Sequence, residues 1–295
     1  MPRSIYRYPG GKSKVYHLIV ARFPEKYKEF RSALVGGGGL FFNIPISKKR
    51  WINDINTNLM SVYFALRDRP NDFIKKCKEI ETEKKGEPRR PSRKNGRILY
   101  NARLGEVFDS FVKDDKIDPA LRYFFLNRTG WAGRVNYKLP SRFYYSNPEG
   151  WGIINSNRLE DAAKIMKGVE ITCLDCRVLL SRPGNDVLVY LDPPYVKNSY
   201  LSKTSQLYEN NFKKKDHELL AEAVHECKHK IIMSYDDDKD GLIRSLYSDF
   251  NIYNEEWKYS GTSSATGQSN KKKIGKELII TNYSSIQQTV DIFED

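Results

Sequence analysis

One stretch near the middle of the chain decides the fold: Val187-Leu188-Val189-Tyr190-Leu191-Asp192-Pro193-Pro194-Tyr195. Its first five residues are apolar and rich in β-branched and aromatic side chains, which predicts a buried strand of a parallel sheet. The two prolines fix φ and cannot continue a ladder, so the strand must end at Asp192. A carboxylate and a phenol ring are therefore expected at the carboxyl end of the strand, where open α/β sheets bind ligands.

The tetrapeptide Asp192-Pro193-Pro194-Tyr195 has the chemistry to hold a flat, conjugated amine. The Asp192 carboxylate and the Pro193 carbonyl are two acceptors that can take both hydrogens of one amino group. Such a pair draws the nitrogen toward tetrahedral geometry and localises its lone pair for attack. Tyr195 supplies a face on which a flipped base can stack. The simpler alternative is a strand that ends at a rigid turn.

Composition limits the class of protein. The chain has 295 residues, 39% of them hydrophobic, enough for one or two domains. A net charge of +13 favours a polyanionic partner, either nucleic acid or an anionic surface. No apolar stretch approaches the length of a membrane span, and the N-terminus opens no signal peptide. Four cysteines are too few for a disulfide framework, so we expect a protein of a reducing, cytoplasmic compartment.

A glycine pair near the N-terminus predicts an anion-binding turn. Gly10, Gly11 and Lys12 precede a predicted helix over Val15 to Phe23. A nucleoside-triphosphate loop needs a glycine five residues before Gly11, and Tyr6 stands there, so that interpretation is rejected. The backbone amides ahead of the helix still suit an anionic group such as a carboxylate.

A second glycine cluster, Gly36 to Gly39, follows a predicted strand at Leu34-Val35. A strand that runs into glycines lets the backbone approach a ligand closely. Trp51 to Ile55 predicts another strand ending in an acid. Asp54 lies 18 residues after Gly36, close to the spacing at which a carboxylate reaches ribose hydroxyls in nucleotide-binding βαβ units. A dinucleotide-binding dehydrogenase is the rival interpretation, although the cluster does not keep the GxGxxG spacing.

Residues 67–164 are interpreted as a DNA-recognition insertion. They carry 22 Lys and Arg against 14 Asp and Glu, which accounts for eight of the thirteen net positive charges. Lys84 to Arg97 is the densest part and is predicted to be a loop whose charge suits phosphate contacts. Asn127 to Tyr137 mixes amides, guanidinium groups and aromatic rings, which read base edges and can wedge into the space left by an extruded base. RNA is an alternative partner.

Two patterns typical of metal sites are interpreted as incidental. Cys173 and Cys176 form a CxxC without a second pair or a nearby histidine. His225-Glu226-Cys227-Lys228-His229 matches HExxH, but the predicted helix from Asp216 ends at His229 and no third ligand follows. We therefore expect no metal.

Seven stretches in order make the chain resemble the Dam-type DNA adenine methyltransferases, the D12 class with α-type motif order. The central tetrapeptide is a signature of amino-methyltransferases, and the set spans nearly the whole chain. The matching stretches are Tyr8-Pro9-Gly10-Gly11-Lys12, Val35-Gly36-Gly37-Gly38, Asp54-Ile55-Asn56, Leu126-Asn127-Arg128, Asp175, Asp192-Pro193-Pro194-Tyr195 and Glu277-Leu278-Ile279-Ile280-Thr281-Asn282-Tyr283.

The resemblance implies an α/β fold: a Rossmann-like, doubly wound, mostly parallel sheet. Its catalytic domain would comprise residues 1–66 and 165–295, and residues 67–164 would be a largely helical target-recognition insertion. The implied activity is transfer of a methyl group from S-adenosylmethionine to the N6 amine of an adenine flipped out of duplex DNA. It further implies a monomer in a prokaryotic or phage-infected cell, with a restriction endonuclease of the same site as a candidate partner.

The resemblance also assigns roles to residues. Asp192, Pro193, Pro194 and Tyr195 would be catalytic. The cofactor would be held by Tyr8, Gly10, Gly11, Lys12, Val35, Gly36, Gly37, Gly38, Asp54, Ile55, Asp175, Cys176 and Asp192. The expected DNA contacts, some of them chosen on charge and residue type alone, are Arg89, Arg90, Asn127, Arg128, Trp131, Arg134, Asn136 and Tyr137.

One stretch departs from the family. Members usually have an acid, a proline and a phenylalanine before the glycines, where this chain has Ser32-Ala33-Leu34. The acid lies near the methionine amine of the cofactor, and loss of such a charged partner costs about 1.5–3 kcal/mol. A catalytically weak, DNA-binding member of the same fold is therefore one alternative. An N4-cytosine methyltransferase is another, because the same tetrapeptide serves both target amines.

Overall fold

The computed structural model describes residues 4–8, 10–44, 49–82, 93–94, 97–98, 110–130, 133, 135, 137, 157–196, 212–258 and 274–285. The strands are β1 Glu29–Ser32, β2 Lys49–Asn53, β3 Arg93–Lys94, β4 Arg97–Ile98, β5 Glu170–Thr172, β6 Val187–Leu191, β7 Lys230–Asp236, β8 Asn251–Lys258 and β9 Ile274–Thr281. The α-helices are α1 Tyr16–Val20, α2 Thr57–Asp68, α3 Pro70–Thr82, α4 Pro119–Thr129, α5 Arg158–Met166, α6 Cys176–Ser181, α7 Lys214–His225 and α8 Leu242–Leu246.

Seven strands form one mixed, mostly parallel sheet in the order β5-β2-β1-β6-β7-β9-β8. Strand β6 pairs in parallel with β1 and with β7, whereas β9 runs antiparallel to both β7 and β8. The predicted α/β class with a mostly parallel sheet is confirmed. Within the described ranges, none of the helices has the length and apolarity needed to span a bilayer.

The predicted central strand has the predicted bounds, Val187–Leu191, and all five of its residues are buried. Helices α6 and α7 and strand β7 contribute to the apolar cluster around it. A strand in the middle of a parallel sheet is covered on both faces, which is why its sequence is a continuous apolar run. Each such side chain contributes about 1.5–3 kcal/mol by leaving water.

The strand predicted at Leu34-Val35 is wrong, because the strand before the glycines is β1, Glu29–Ser32. This strand hides two charges: Arg31 Nε lies 2.7 Å from Glu29 Oε1, and both side chains are almost fully buried. Arg31 also donates to three backbone carbonyls at and just beyond the end of α6. Buried charges that are paired and hydrogen-bonded are tolerated in a core, so a search for apolar runs misses this strand.

Other predictions need correction in their bounds. The strand predicted at Trp51 to Ile55 is β2, Lys49–Asn53, which ends one residue before Asp54. The N-terminal helix covers only Tyr16–Val20 and follows a 3-10 turn, Lys12–Lys14. Within the predicted loop Lys84 to Arg97, β3 pairs antiparallel with β4, and the other residues of that stretch lie outside the described ones.

The chain forms two compact units. The first comprises residues 1–13, 35–47 and 52–174, and in it α2 packs against α3, α4 and α5. The second comprises residues 14–34, 48–51 and 175–295 and contains β6, β7, β8 and β9 with helices α6 and α7. Each unit is a set of residues that pack mainly against one another. The division into a catalytic domain and a recognition insertion at 67–164 is drawn from function and stays a prediction.

Candidate active site

The Asp192 carboxylate follows β6 directly and is held by the neighbouring strand. Ser234 of β7 donates its hydroxyl proton to Asp192 Oδ1 at 3.0 Å. The hydroxyl of Tyr190, in β6, lies 2.9 Å from Ser234 Oγ. The register pairs Leu191 with Met233, so Asp192 and Ser234, which follow those two residues, are neighbours just beyond the carboxyl end of β6. The carboxylate is thereby oriented as well as placed.

Tyr195 is anchored by a second carboxylate. Its hydroxyl donates to Glu277 of β9, a side chain that is itself buried. Burial, followed by the nearby carboxylates of Asp192 and Glu277, raises the pKa of Tyr195 far above its ordinary value. The phenol therefore stays protonated and can only donate to Glu277. The ring is held at both ends, by Pro194 through the chain and by Glu277 through its hydroxyl.

A third carboxylate, Asp236, lies at the end of β7. It accepts the backbone amide of Val196, the residue directly after the tetrapeptide, while its Oδ1 is buried without a hydrogen-bond partner among the described residues. Burial raises the pKa of Asp236 to about 6. Neither Ser234 nor Asp236 was assigned a role from sequence, and Glu277 appeared only as part of a family match. Aligning the carboxyl ends of the predicted parallel strands β6 and β7 is the signal that points to Ser234.

In the first unit, polar side chains hold the backbone of the second glycine cluster. The amide of Gly36 donates to Asp54 Oδ2 at 3.0 Å, and the Tyr63 hydroxyl donates to the Gly36 carbonyl at 2.8 Å. Asp54 is buried, and this burial raises its pKa although backbone amides partly oppose the shift. Its other oxygen accepts the Asn56 amide. We call Gly36–Gly39, together with Tyr8, Asp54 and Tyr63, the glycine cradle.

The ring of Tyr8 lies directly on this backbone. A β-carbon at Gly37 would stand 2.5 Å from Tyr8 Cβ, and one at Gly36 would stand 2.9 Å from Tyr8 Cε1. Gly36 also has φ +47°, a conformation that side chains disfavour. Ser4 donates its hydroxyl to the Gly37 carbonyl. Gly36 and Gly37 are therefore required on steric grounds, because a bulkier residue would displace Tyr8 or the backbone.

The remaining predicted cofactor residues divide between the two units. In the first unit, Lys12 is buried and donates to the Gly10 carbonyl at 3.0 Å, and the Gly11 amide donates to Tyr8. Val35 donates its amide to Asn53, while Ile55 is 51% exposed, unusual for its size. Lys12 and Val35 precede the glycines Gly36 to Gly39 in the sequence, and Ile55 follows them.

In the second unit, Asp175 caps helix α6. It accepts the Arg177 amide at 2.9 Å and the guanidinium at 2.6 Å, and the Arg177 bond holds the pKa of the carboxyl below its ordinary value. Cys176 is buried, which raises the pKa of its thiol to about 12. A buried thiol that stays protonated at neutral pH is a poor nucleophile, so nothing here points to a nucleophilic role.

Among the predicted DNA contacts, Asn127 is fully engaged in the fold. The Asn127 side-chain oxygen accepts the backbone amide of Arg7. The side-chain nitrogen of Asn127 donates to the carbonyls of Arg7 and Gly133. Arg128 donates to the Ile5 carbonyl, and burial with two neighbouring guanidinium groups lowers its pKa to about 10. Tyr137 receives the guanidinium of Arg122 on its ring. The others lie outside the described residues: Arg89, Arg90, Trp131, Arg134 and Asn136.

The HExxH pattern does not stand on one helix, since α7 ends at His225. His225 Nε2 lies 2.9 Å from the Leu246 carbonyl and His229 Nε2 lies 2.8 Å from the Arg182 carbonyl. Across the part of the chain that the structure describes, no three His, Cys, Asp or Glu side chains are grouped as metal ligands would be.

Comparison with known proteins identifies the family. Residues 8–261 match the family model for D12 class N6 adenine-specific DNA methyltransferases. The chain is 25% identical to the Type II methyltransferase M1.LlaDCHI of Lactococcus lactis subsp. cremoris, over 96% of each protein. It is 27% identical to the Type II methyltransferase M.MjaIII of Methanocaldococcus jannaschii, over 94% of this chain and 98% of that one. Identity to the DNA adenine methylase of Escherichia coli is 24%, over 75% of this chain and 74% of that protein. The match over most of its length shows that the chain belongs to the D12 class of N6 adenine-specific DNA methyltransferases.

Proposed function

We propose that the protein transfers a methyl group from S-adenosylmethionine to the N6 amine of an adenine flipped out of duplex DNA. The observation that carries the proposal is the anchored pair Asp192 and Tyr195 at the carboxyl edge of β6. One offers an oriented carboxylate and the other a fixed aromatic face. An adenine amine and an adenine ring need those two features.

The residues of the first unit fit the cofactor. Its methionine carboxylate suits Lys12, because a buried ammonium favours an anion. Gly10, whose carbonyl accepts from Lys12, and Gly11 would bring the backbone close to the same end of the cofactor. The bare backbone of Gly36 to Gly38 allows close approach. Asp54 would take the ribose hydroxyls, since the backbone amides of Gly36, Asn56 and Ile55 hold its carboxylate in place and an ionised carboxylate can accept a further bond. Bound there, the cofactor supplies an electrophilic methyl group on a sulfonium.

The tetrapeptide residues would prepare the nucleophile. Asp192 and the Pro193 carbonyl accept the two hydrogens of the amine, and the lone pair then points away from the ring plane. Tyr195 holds the base by stacking, at about 1–3 kcal/mol. Asp175 would accept the adenine amine of the cofactor. Ile55, whose side chain is exposed, is a further candidate for cofactor contact.

We further infer that residues 67–164 recognise the DNA. Their excess of eight positive charges supports contacts to phosphates, with Arg89, Arg90 and Arg128 as candidates. Trp131 has the shape to fill the space left by the flipped base, and Arg134 and Asn136 have the donors to read base edges. The names of two relatives, both Type II methyltransferases, support a restriction endonuclease of the same site as partner.

One observation favours a second candidate, a member with weak cofactor binding. Ser32 stands where the family usually has an acid, and it is buried at the end of β1. The acid of that strand, Glu29, cannot substitute, because Arg31 and Lys49 both pair with it. Titration calorimetry with S-adenosylmethionine decides: no heat at millimolar cofactor favours this candidate over the enzyme.

The decisive experiment is methyl transfer from labelled S-adenosylmethionine to unmethylated bacterial DNA, with modified positions mapped by sequencing. We expect label in adenine at one recurring short sequence. DNA already treated to completion with unlabelled cofactor is the matched control and should accept no label. Label in cytosine would overturn the adenine assignment. Absence of label, with cofactor and DNA both bound, would overturn the enzyme.

A further inference from the structure

We propose that Ser234 is a positioning residue for methyl transfer, and that Tyr190 acts through it. In this proposal the Ser234 hydroxyl sets the rotation of the Asp192 carboxylate, and the Tyr190 hydroxyl sets Ser234. The inference rests on the proposed function and adds to it two residues outside the tetrapeptide that the reaction depends on.

Tyr190, Ser234 and Asp192 form a hydrogen-bond chain across two strands. Ser234 is fully buried in β7, 3.0 Å from Asp192 Oδ1 and 2.9 Å from the Tyr190 hydroxyl. Tyr190 is 3% exposed and belongs to β6, the same strand that ends at Asp192. Strands β6 and β7 are paired as far as Leu191 and Met233, so the sheet holds this hydrogen-bond chain in place.

The direction of the two hydrogen bonds follows from proton counting. A serine hydroxyl has one proton, and the carboxylate of Asp192 can only accept, so Ser234 donates to Asp192. Ser234 must then accept from Tyr190. Burial keeps Tyr190 a neutral phenol by raising its pKa well above the ordinary value, which agrees with its role as donor. Hydrogen bonds in a chain polarise one another, which strengthens the bond from Ser234 to the Asp192 carboxylate.

The orientation of Asp192 needs such a partner. Two prolines fix the backbone after Asp192, but they do not fix the torsion that turns its carboxylate. That torsion is broad for aspartate, because it joins a tetrahedral carbon to a planar one. An acceptor for the amine works only when its oxygen is in the correct plane, and small displacements cost large factors in rate. The Ser234 bond to Oδ1 removes this freedom.

The test compares Ser234→Ala, Tyr190→Phe and the double variant, with methyl transfer measured at saturating and limiting substrate. We expect Ser234→Ala to lower kcat at least tenfold, with the KM for S-adenosylmethionine and the Kd for DNA within twofold of wild type. Tyr190→Phe should lower kcat two- to fivefold. The double variant should match Ser234→Ala in kcat, because the hydrogen bond of Tyr190 reaches Asp192 through the serine hydroxyl.

Thr281→Val is the matched control. Thr281 is also a fully buried hydroxyl residue of the sheet, but its hydroxyl donates to the Tyr283 carbonyl. Its kcat should equal that of wild type. A purely structural role for Ser234 predicts instead a lower melting temperature with unchanged kcat.

Two outcomes would overturn the inference. One is a Ser234→Ala enzyme with wild-type kcat, and the other is a double variant whose loss is the product of the two single losses. Absence of methyl transfer by the wild-type enzyme would refute the proposed function and this inference with it. Wild-type turnover together with an unaffected Ser234→Ala variant would refute this inference alone.

Discussion

The glycine cradle and the Asp192-Pro193-Pro194-Tyr195 tetrapeptide solve opposite problems. The cradle presents bare backbone, which Asp54 and Tyr63 hold by its amide and its carbonyl. The tetrapeptide presents side chains, which Ser234 and Glu277 hold by their polar atoms. In both regions the polar anchors are buried side chains, so each anchor is protected from competition with water.

The comparison teaches how each region can fail. The cradle has no room for added atoms, since a β-carbon at Gly36 or Gly37 would overlap Tyr8. The tetrapeptide depends on atoms that are present, since removal of one carboxylate or one ring removes a contact that the reaction needs. Additions should therefore damage the cradle, and deletions should damage the tetrapeptide.

The largest effect is expected from Asp192→Ala. Without the carboxylate the amine loses an acceptor, and kcat should fall on the order of 10³-fold. Calorimetry should still detect S-adenosylmethionine binding. Asp249→Ala, which removes an exposed carboxylate elsewhere in the second unit, is the control. Turnover retained by Asp192→Ala would break the assignment of chemistry to the tetrapeptide.

Tyr195→Ala should come next, and Tyr195→Phe sharpens it. Loss of the ring removes about 1–3 kcal/mol of stacking, so methyl transfer should fall roughly 5- to 150-fold. The phenylalanine variant keeps the face and loses only the bond to Glu277, and should retain kcat within about threefold. Single-turnover rates measure both. Equal losses in the two variants would mean that the hydroxyl matters more than the face.

A smaller loss is expected from addition of one methyl group at Gly36. Gly36→Ala should weaken S-adenosylmethionine binding about tenfold, because the new carbon would displace Tyr8. Gly168→Ala is a close match: that glycine also has positive φ, at +71°, but nothing lies within 4 Å of the added carbon. Both changes strain the backbone by about 1–2 kcal/mol, so a difference in cofactor affinity reports the contact with Tyr8. Equal cofactor affinity in both variants would contradict the proposed cradle.

The smallest effect concerns stability and pH. The pKa of Asp236 is raised to about 6, so its charged form costs the folded state free energy above that pH. Stability should rise as pH falls from 7 through 6, because the folded state then binds a proton that the unfolded state does not. Asp236→Asn should remove this dependence and raise the free energy of unfolding at pH 7.5 by about 1–2 kcal/mol. Denaturant titrations of both proteins between pH 5 and pH 8 check it, and parallel curves would contradict it.

Elements that follow local rules were predicted well. Strand β6 has the predicted bounds because a continuous apolar run and two prolines define a buried strand and its end without reference to the rest of the chain. Strand β1 was misplaced because its charges are hidden by partners distant in sequence: Arg31 reaches carbonyls near residue 180. In the recognition stretch the sequence predicts only part of the outcome. Composition shows the positive charge, but the structure shows that Asn127, predicted to contact DNA, hydrogen-bonds the backbone of Arg7 and Gly133.

The sequence by itself determined the class of the protein, the sheet type, the position of the tetrapeptide and the glycines of the cradle. These depend on residue type and on spacing along the chain. Only the tertiary structure decided which side chains orient the reacting groups. Ser234 lies 42 residues from Asp192, and Glu277 lies 82 residues from Tyr195. The strands that carry these residues are far apart along the chain, and the register of the sheet, which sets those partners, is a property of the whole packed core.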